Sequence, residues 1–278
     1  MDEITRKVLE FYRELPFNHR STVETAADSI RKHNQILPAY PDLDTLLQRG
    51  QQQVLDVGCG AGWFTNTVAF YYNADVIGLD FNPVAVDRSR KVATCLEVNA
   101  QFAVADIFAY ETPPHDIVCS IGVLHHTSDF DRAVRRVLRW VKPGGHLLLG
   151  LYHAYGRAPF LAHFREKRDG GVTEEALLEE FAGLVTLEDP CHLRSWFRDQ
   201  VLHPHETSHT LASIHALVSP RGFKLLSTSV NRHQPIENLD ALFALEPGLE
   251  ASGVKALAEK RYYPGFFTCL FERSMDQQ

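Results

Sequence analysis

Three glycines within five residues separate a strand-like segment from a helix-like segment near the start of the chain's apolar region. This stretch, VLDVGCGAGWF from Val54 to Phe64, has glycine at 58, 60 and 62. Glycine has no Cβ, so the backbone of such a turn can approach a ligand closely, and the helix that follows offers free N–H groups. Asp80 ends the next apolar segment about 20 residues later, where a carboxylate can accept hydrogen bonds from ribose hydroxyls. The pattern predicts a nucleotide-like ligand at the end of a parallel strand.

Strand-like and helix-like segments alternate through the middle of the chain. Asn82 and Pro83 are a typical N-cap and first residue of one of these helices. The prolines of LPAYPDL predict a loop, and KPGG predicts a tight turn. The strand candidates are QVLDV, DVIGLD, AQFAVAD, HDIVCSIGVL, HLLLGLY, KLLSTSV and GFFTCLFER. The alternation predicts βαβ units and a parallel sheet covered by helices on both faces.

Two further parts flank this alternating pattern. Amphipathic helix candidates at 2–15 and 22–33 precede the first strand, and we expect residues 1–50 to form a helical lid over the ligand. About 55 residues separate the fifth strand from the next helix candidate, far more than connections in compact domains usually have. We therefore expect residues 152–210 to be a substrate cap inserted into a ligand-binding domain made of 51–151 and 211–278.

Composition restricts the class of protein. The 278 residues are 45% apolar with a formal net charge of -7, which disfavours sequence-independent binding to DNA. The apolar runs are too short to span a bilayer, and no signal-peptide pattern opens the chain. Five cysteines are scattered without a CxxC pair, which indicates a reducing, cytoplasmic location rather than a disulfide framework.

Successive motifs resemble those of class I S-adenosylmethionine (SAM)-dependent methyltransferases. The motifs are VLDVGCGAGWF, VIGLDFNPVAV, VADIF, SIGVLHH and VKPGGHLLLG. The glycine spacing is G-x-G-x-G, which differs from the G-x-G-x-x-G of dinucleotide-binding proteins. The resemblance implies an α/β fold: a Rossmann-like seven-stranded sheet with the last strand antiparallel.

The resemblance also implies a cofactor, S-adenosyl-L-methionine, and the residues that hold it. Asp80 would hold the ribose, Phe81 and Ile107 would flank the adenine, and Asp106 would lie near its amino group. Asp106 is also a plausible helix cap, and Cys59 is better explained as a small turn residue than as a nucleophile. Contacts with the methionine part are implied for Asp56, Gly58, Cys59, Gly60, Gly62, Ile121 and Val123.

Titratable side chains follow the fourth and fifth strand candidates. His126, Tyr152 and His153 would lie at the edge of the sheet where ligands bind, and one of them could act as a general base. Packing on the cofactor or capping a turn is the competing interpretation for each histidine.

The segment HLRSWFRDQVLHPHETSHT in the cap admits three interpretations. Arg194 and Arg198, together with Arg157 and Arg165, could clamp an acidic group of the substrate, with His203, His205 and His209 facing the same cavity. The three histidines and Glu206 could instead bind a metal, but H-x-H-x3-H is not an established zinc signature, so we predict no metal. The third interpretation is a polar hydrogen-bonded loop that closes the cap.

These features predict a SAM-dependent methyltransferase that acts on a small polar, anionic metabolite or biosynthetic intermediate. One alternative is a tRNA-modifying methyltransferase that flips a base into the pocket; RNA is thus a possible but not favoured partner. Another is a SAM- or nucleotide-binding protein without transfer activity. A nicotinamide dehydrogenase is disfavoured by the glycine spacing.

Overall fold

The computed structural model of the chain describes residues 2–275. At its centre lies a seven-stranded sheet with the order β3-β2-β1-β4-β5-β7-β6, in which β7 is antiparallel to both of its neighbours and the other pairs are parallel. The predicted α/β fold with an antiparallel last strand is confirmed. The strands are β1 Gln52–Val57, β2 Ala74–Asp80, β3 Ala100–Val104, β4 His115–Ile121, β5 Val141–Tyr152, β6 Phe223–Thr228 and β7 Phe266–Arg273.

Thirteen α-helices surround or extend this sheet in the described part of the chain. They are α1 Glu3–Glu14, α2 Val23–Lys32, α3 Ile36–Ala39, α4 Pro41–Leu47, α5 Trp63–Tyr71, α6 Pro83–Leu96, α7 Phe130–Arg139, α8 Ala154–Asp169, α9 Glu174–Ala182, α10 Pro190–Phe197, α11 Leu211–Val218, α12 Leu239–Phe243 and α13 Gly248–Ala258. None of the described helices has the length and apolar character needed to cross a membrane.

Helices cover both faces of the sheet. Neighbouring residues of each central strand point to opposite faces, so both sets of side chains are buried. Leu55, Val118 and Leu149 pack towards α7 and α11. The residues just before them, such as Val54 and Leu148, pack towards α4 and α5. Because β1, β2, β4 and β5 are parallel, their carboxyl ends lie at the same edge of the sheet.

The segment between β5 and α11, residues 153–210, is called the inserted segment and has an apolar centre of its own. Phe160, Phe164, Phe181 and Phe197 from α8, α9 and α10 form this second cluster. Helix α13, from the part of the chain after β6, packs along α8. The inserted segment is thereby held against the part of the chain that follows β6.

Two predictions of local structure are wrong. Residues 37–43, predicted as a loop from their prolines, belong largely to α3 and α4; Pro41 is the first residue of α4, where its missing N–H is not needed. The KPGG segment lies within β5 rather than in a tight turn, and a shift of register between β4 and β5 accommodates the extra residues. Helices α12 and α13 were not predicted.

Candidate functional site

A cavity of about 580 Å³ lies at the carboxyl ends of the parallel strands. Helix α1, the segment after it, the inserted segment and the start of β7 complete its walls. Of the residues predicted to bind cofactor or to act in catalysis, those that line it are Gly58, Cys59, Gly60, Asp80, Phe81, Asp106, Ile107, Ile121, Val123, His126 and Tyr152.

The glycine turn after β1 forms one side of this cavity. Gly58, Gly60 and Gly62 have φ angles of +80°, +51° and +83°, a region that residues with a Cβ rarely adopt. A Cβ at Gly58 would overlap the side chain of Val123, whereas a Cβ at Gly60 would meet nothing within 4 Å. The backbone therefore borders open space at Gly60, as close approach of a ligand requires.

Asp80 is fixed beside this turn. Its two carboxylate oxygens accept hydrogen bonds from the backbone N–H groups of Gly60, at 2.9 Å, and Asn82, at 2.8 Å. Burial raises the pKa of Asp80, and these two hydrogen bonds oppose the effect. A carboxylate held this way at the wall retains lone pairs for further donors, which fits the two hydroxyls of a ribose.

The adenine end of the predicted site is apolar, with one acid. Phe81, Ile107 and Phe108 line the wall beyond Asp80. Asp106 lines it too, and it also accepts a hydrogen bond from the backbone N–H of Phe108 at 2.9 Å. Asp106 thus has the capping contact that was the competing interpretation, while its side chain remains at the cavity.

Two of the predicted cofactor residues lie behind the wall. Asp56 is 3% exposed and accepts a hydrogen bond from the Thr65 hydroxyl at 2.5 Å, which ties β1 to α5. Burial raises the pKa of Asp56 to about 7. Gly62 is the N-cap of α5, and a Cβ there would collide with Ser89. Both residues shape the turn from behind.

The predicted catalytic residues separate into two groups. Tyr152 and His126 line the cavity, and burial lowers the pKa of His126, which favours a neutral ring. His153 is 1% exposed, and its Nε2 lies 2.7 Å from Glu246. Its Nδ1 accepts the N–H groups of Tyr155 and Gly156 at the start of α8. His153 is therefore placed as a helix cap, away from the cavity wall.

The predicted arginine clamp is paired elsewhere in the structure. Arg157 is buried in an ion pair with Glu206 at 2.9 Å. Arg194 lies at the surface, 3.5 Å from Glu174, and Arg198 lies 2.7 Å from Glu14. Each guanidinium is paired with a carboxylate of the chain and none of the three lines the cavity, so the structure corrects the expectation that these arginines face the pocket.

The histidines of the same segment have three different environments. The ring of His203 packs against that of His126, with 3.7 Å between the centroids and 31° between the ring planes. The backbone oxygen of His205 accepts from His126 Nδ1 at 2.9 Å, and its ring contacts the Thr127 carbonyl. His209 stacks on Phe130 at 3.6 Å. The predicted grouping of the three rings around one cavity is therefore not what the structure shows.

Asp199 is the residue at this site whose role the sequence did not indicate. It lines the cavity and accepts hydrogen bonds from the hydroxyls of Tyr12, at 2.5 Å, and Tyr152, at 3.2 Å. Tyr12 and Asp199 are 187 residues apart in the chain. No local spacing could have associated them.

Comparisons with known proteins agree with this geometry. Residues 49–200 match a family model described as a methyltransferase domain. Phosphoethanolamine N-methyltransferase 3 of Arabidopsis thaliana is 32% identical over 42% of this chain and 24% of its own length. The ubiquinone biosynthesis O-methyltransferase of Pseudomonas putida is 30% identical over 43% of this chain and 53% of its own length. The matched region thus spans from about a quarter to about half of these relatives.

A solved structure shows the same fold over almost the whole chain. It is magnesium protoporphyrin IX methyltransferase from Synechocystis with bound S-adenosylhomocysteine (SAH). The alignment has a TM-score of 0.51 at 15% identity and covers 99% of this chain and 88% of that one.

Proposed function

This chain belongs to the family of SAM-dependent methyltransferase domains, and on that premise we propose that it transfers a methyl group to a small molecule held in the cavity. SAM supplies a methyl group bonded to a positively charged sulfur, which is a good leaving group. The protein's task is then to orient the acceptor and to keep water out.

The half of the cavity formed by Gly58, Gly60 and Asp80 carries the proposal. In this half, an exposed backbone turn lies beside a fixed carboxylate at the end of a parallel strand. We assign ribose binding to Asp80 and adenine contacts to Phe81 and Ile107. Ile121 and Val123 would lie beside the methionine moiety.

The size and enclosure of the cavity favour a small acceptor over a polymer. A volume of about 580 Å³ accommodates cofactor and a modest acceptor, and α1 and the inserted segment both contribute to the enclosure. The relatives named for phosphoethanolamine and ubiquinone biosynthesis also act on metabolites. The expectation of an anionic acceptor depended on Arg157, Arg194 and Arg198, and their pairing with carboxylates removes that support.

Methyl transfer from labelled SAM tests the proposal. The protein would be incubated with a fraction of small metabolites and, separately, with total tRNA; we expect label in the small-molecule fraction and loss of transfer in Asp80→Ala. Label in tRNA would favour the base-flipping alternative. Tight SAM binding without transfer to either fraction would indicate a binding protein.

A further inference from the structure

Asp199 is a buried carboxylate on the cavity wall whose hydrogen-bond donors are all neutral. It is 5% exposed. One oxygen accepts from Tyr12, and the other accepts from Tyr152 and from the Gln200 amide at 2.7 Å. Among the ion pairs of the described residues, none includes Asp199; Arg157, nearby, is paired with Glu206 instead. A buried carboxylate without a cation is costly, so a ligand that brings a positive charge would be stabilised there.

The position of Asp199 connects the two halves of the cavity. The backbone oxygen of Tyr12 accepts from the Asn82 amide at 2.8 Å, which fixes Tyr12 close to Asp80. Tyr152 lies just beyond the residue of β5 that pairs with Ile121. Asp199, bonded to both tyrosines, therefore lies next to the cofactor end of the cavity rather than at its mouth.

The surroundings of Asp199 suit a cation in a second way. Aromatic rings dominate this part of the wall, and ring faces attract ammonium groups. They belong to Tyr12, Tyr152, Trp196, Tyr262 and Phe266. Arg20 is the one arginine among the described lining residues, against the three carboxylates Asp80, Asp106 and Asp199.

A metal ion is the other cation that could bind beside Asp199. His126, Asp199 and His203 bring ligand atoms within 4.8 Å of one another. However, His203 Nδ1 accepts the backbone N–H of His205 at 3.1 Å, so the neutral ring carries its hydrogen on Nε2 and has no lone pair there. In this tautomer His203 offers no lone pair to a metal ion, which argues against ligation by the cluster.

We propose that Asp199 binds the amino group of the methyl acceptor, and that the acceptor is therefore an amine on an apolar or aromatic body. This deepens the proposed function and rests on it. An ammonium ion must lose a proton before its nitrogen can act as a nucleophile. Asp199, which holds the ammonium as an ion pair, is placed to accept that proton as the general base.

One proton passes from the ammonium nitrogen to an oxygen of Asp199, and the freed lone pair forms a bond to the methyl carbon. The carbon–sulfur bond breaks, and its electron pair stays on sulfur as a thioether. The methylated ammonium leaves, and Asp199 returns its proton to water when the cavity opens.

Arg157 and Gln200 act as positioning residues in this arrangement. The guanidinium of Arg157 donates to the Gln200 side-chain oxygen at 3.0 Å and lies 4.0 Å from the centre of the Tyr152 ring. The Gln200 amide then donates to Asp199 and to the Tyr152 hydroxyl. This chain of contacts holds the carboxylate from behind without neutralising it.

Three probes that differ in their polar end test the proposal: 2-phenylethylamine, 2-phenylethanol and phenylacetate. Their binding to the SAH-loaded full-length protein would be measured by ligand-observed NMR. We expect the amine to bind at least about tenfold more tightly than either other probe, because it alone supplies a charge to the buried carboxylate. In Asp199→Asn the preference should fall to about threefold or less, with SAH affinity unchanged. Glu188→Gln, the same change of charge at an exposed residue of the inserted segment, should keep the full preference.

Several results would overturn the proposal. These are tighter binding of phenylacetate or 2-phenylethanol to the wild-type protein, an unchanged preference in Asp199→Asn, a large loss of SAH affinity in that variant, or stoichiometric zinc that the variant loses. The wild-type ranking decides even if Asp199→Asn fails to fold. If the wild-type protein does not bind SAH, the proposed function fails, whereas the ranking can still be measured on the protein alone.

Discussion

Arg198 of the inserted segment forms an ion pair of 2.7 Å with Glu14 at the end of α1. Its guanidinium also donates to the Phe11 carbonyl and lies 4.7 Å from the centre of the Phe11 ring. The Arg198 side chain is 12% exposed and that of Glu14 is 69% exposed. The contact of Arg198 with Phe11 is therefore better shielded from solvent than its ion pair with Glu14. Arg198 thus fastens α1 to the inserted segment across the cavity.

Removal of this contact should loosen α1. We expect Arg198→Ala to release bound SAH several-fold faster and to speed amide hydrogen exchange in residues 3–14, because α1 provides part of the cavity wall. The loss of global stability should be small, because Glu14 is exposed. Arg194→Ala, which removes the long and exposed pair with Glu174, is the matched control and should change neither rate. Equal behaviour of the two variants would contradict the assigned role of Arg198.

Asp80→Ala should weaken binding of SAH by at least about tenfold, since two hydrogen bonds to a carboxylate are lost. Calorimetry of the purified variant measures the change. Asp75→Ala, at the exposed start of the same strand, is the control for general effects on β2. Unchanged affinity in Asp80→Ala would remove Asp80 from the site.

Gly58→Ala and Gly60→Ala should differ although they are two residues apart. Both place alanine at a positive φ, which costs about 1–2 kcal/mol. Only the Gly58 substitution adds a collision with Val123, so it should lower the melting temperature clearly further. Comparable melting temperatures would show that Val123 can move aside.

Asp56 should make stability fall as pH rises. Its pKa is about 7 in the folded protein and near 3.8 in the unfolded chain, so between these values the folded state keeps a proton that the unfolded chain has lost. The contribution of Asp56 to the free energy of unfolding is fully present below about pH 4. It is lost as the pH rises towards 7, by about 4 kcal/mol in total. Urea unfolding at several pH values should show a smaller decline in Asp56→Asn than in wild type. Asp75→Asn should retain the wild-type decline.

The sheet and the cofactor half of the site could be predicted because their signals are local. Gly58, Gly60 and Asp80 act at strand ends that alternation of apolar segments already marks. The error at residues 37–43 also comes from a local signal, since a proline such as Pro41 can either break a helix or begin one.

The acceptor half could not be predicted because it depends on distant pairs. Tyr12, Tyr152 and Asp199 meet only when three separate parts of the chain are folded. The position of His153 had a usable signal, however. Adjacent residues of an extended strand point to opposite sides, so Tyr152 and His153 could not both face the cavity.

The position of β7 between β5 and β6 affects the order in which the chain can fold during its synthesis. In the described sheet, β6 is hydrogen-bonded to β7 and to no other strand. On the ribosome, β6 emerges before the strand that must pair with it, and its backbone groups remain hydrated until β7 has also left the exit tunnel. The nascent chain can therefore assemble the five parallel strands early, while β6 reaches its place only after β7 has docked on β5.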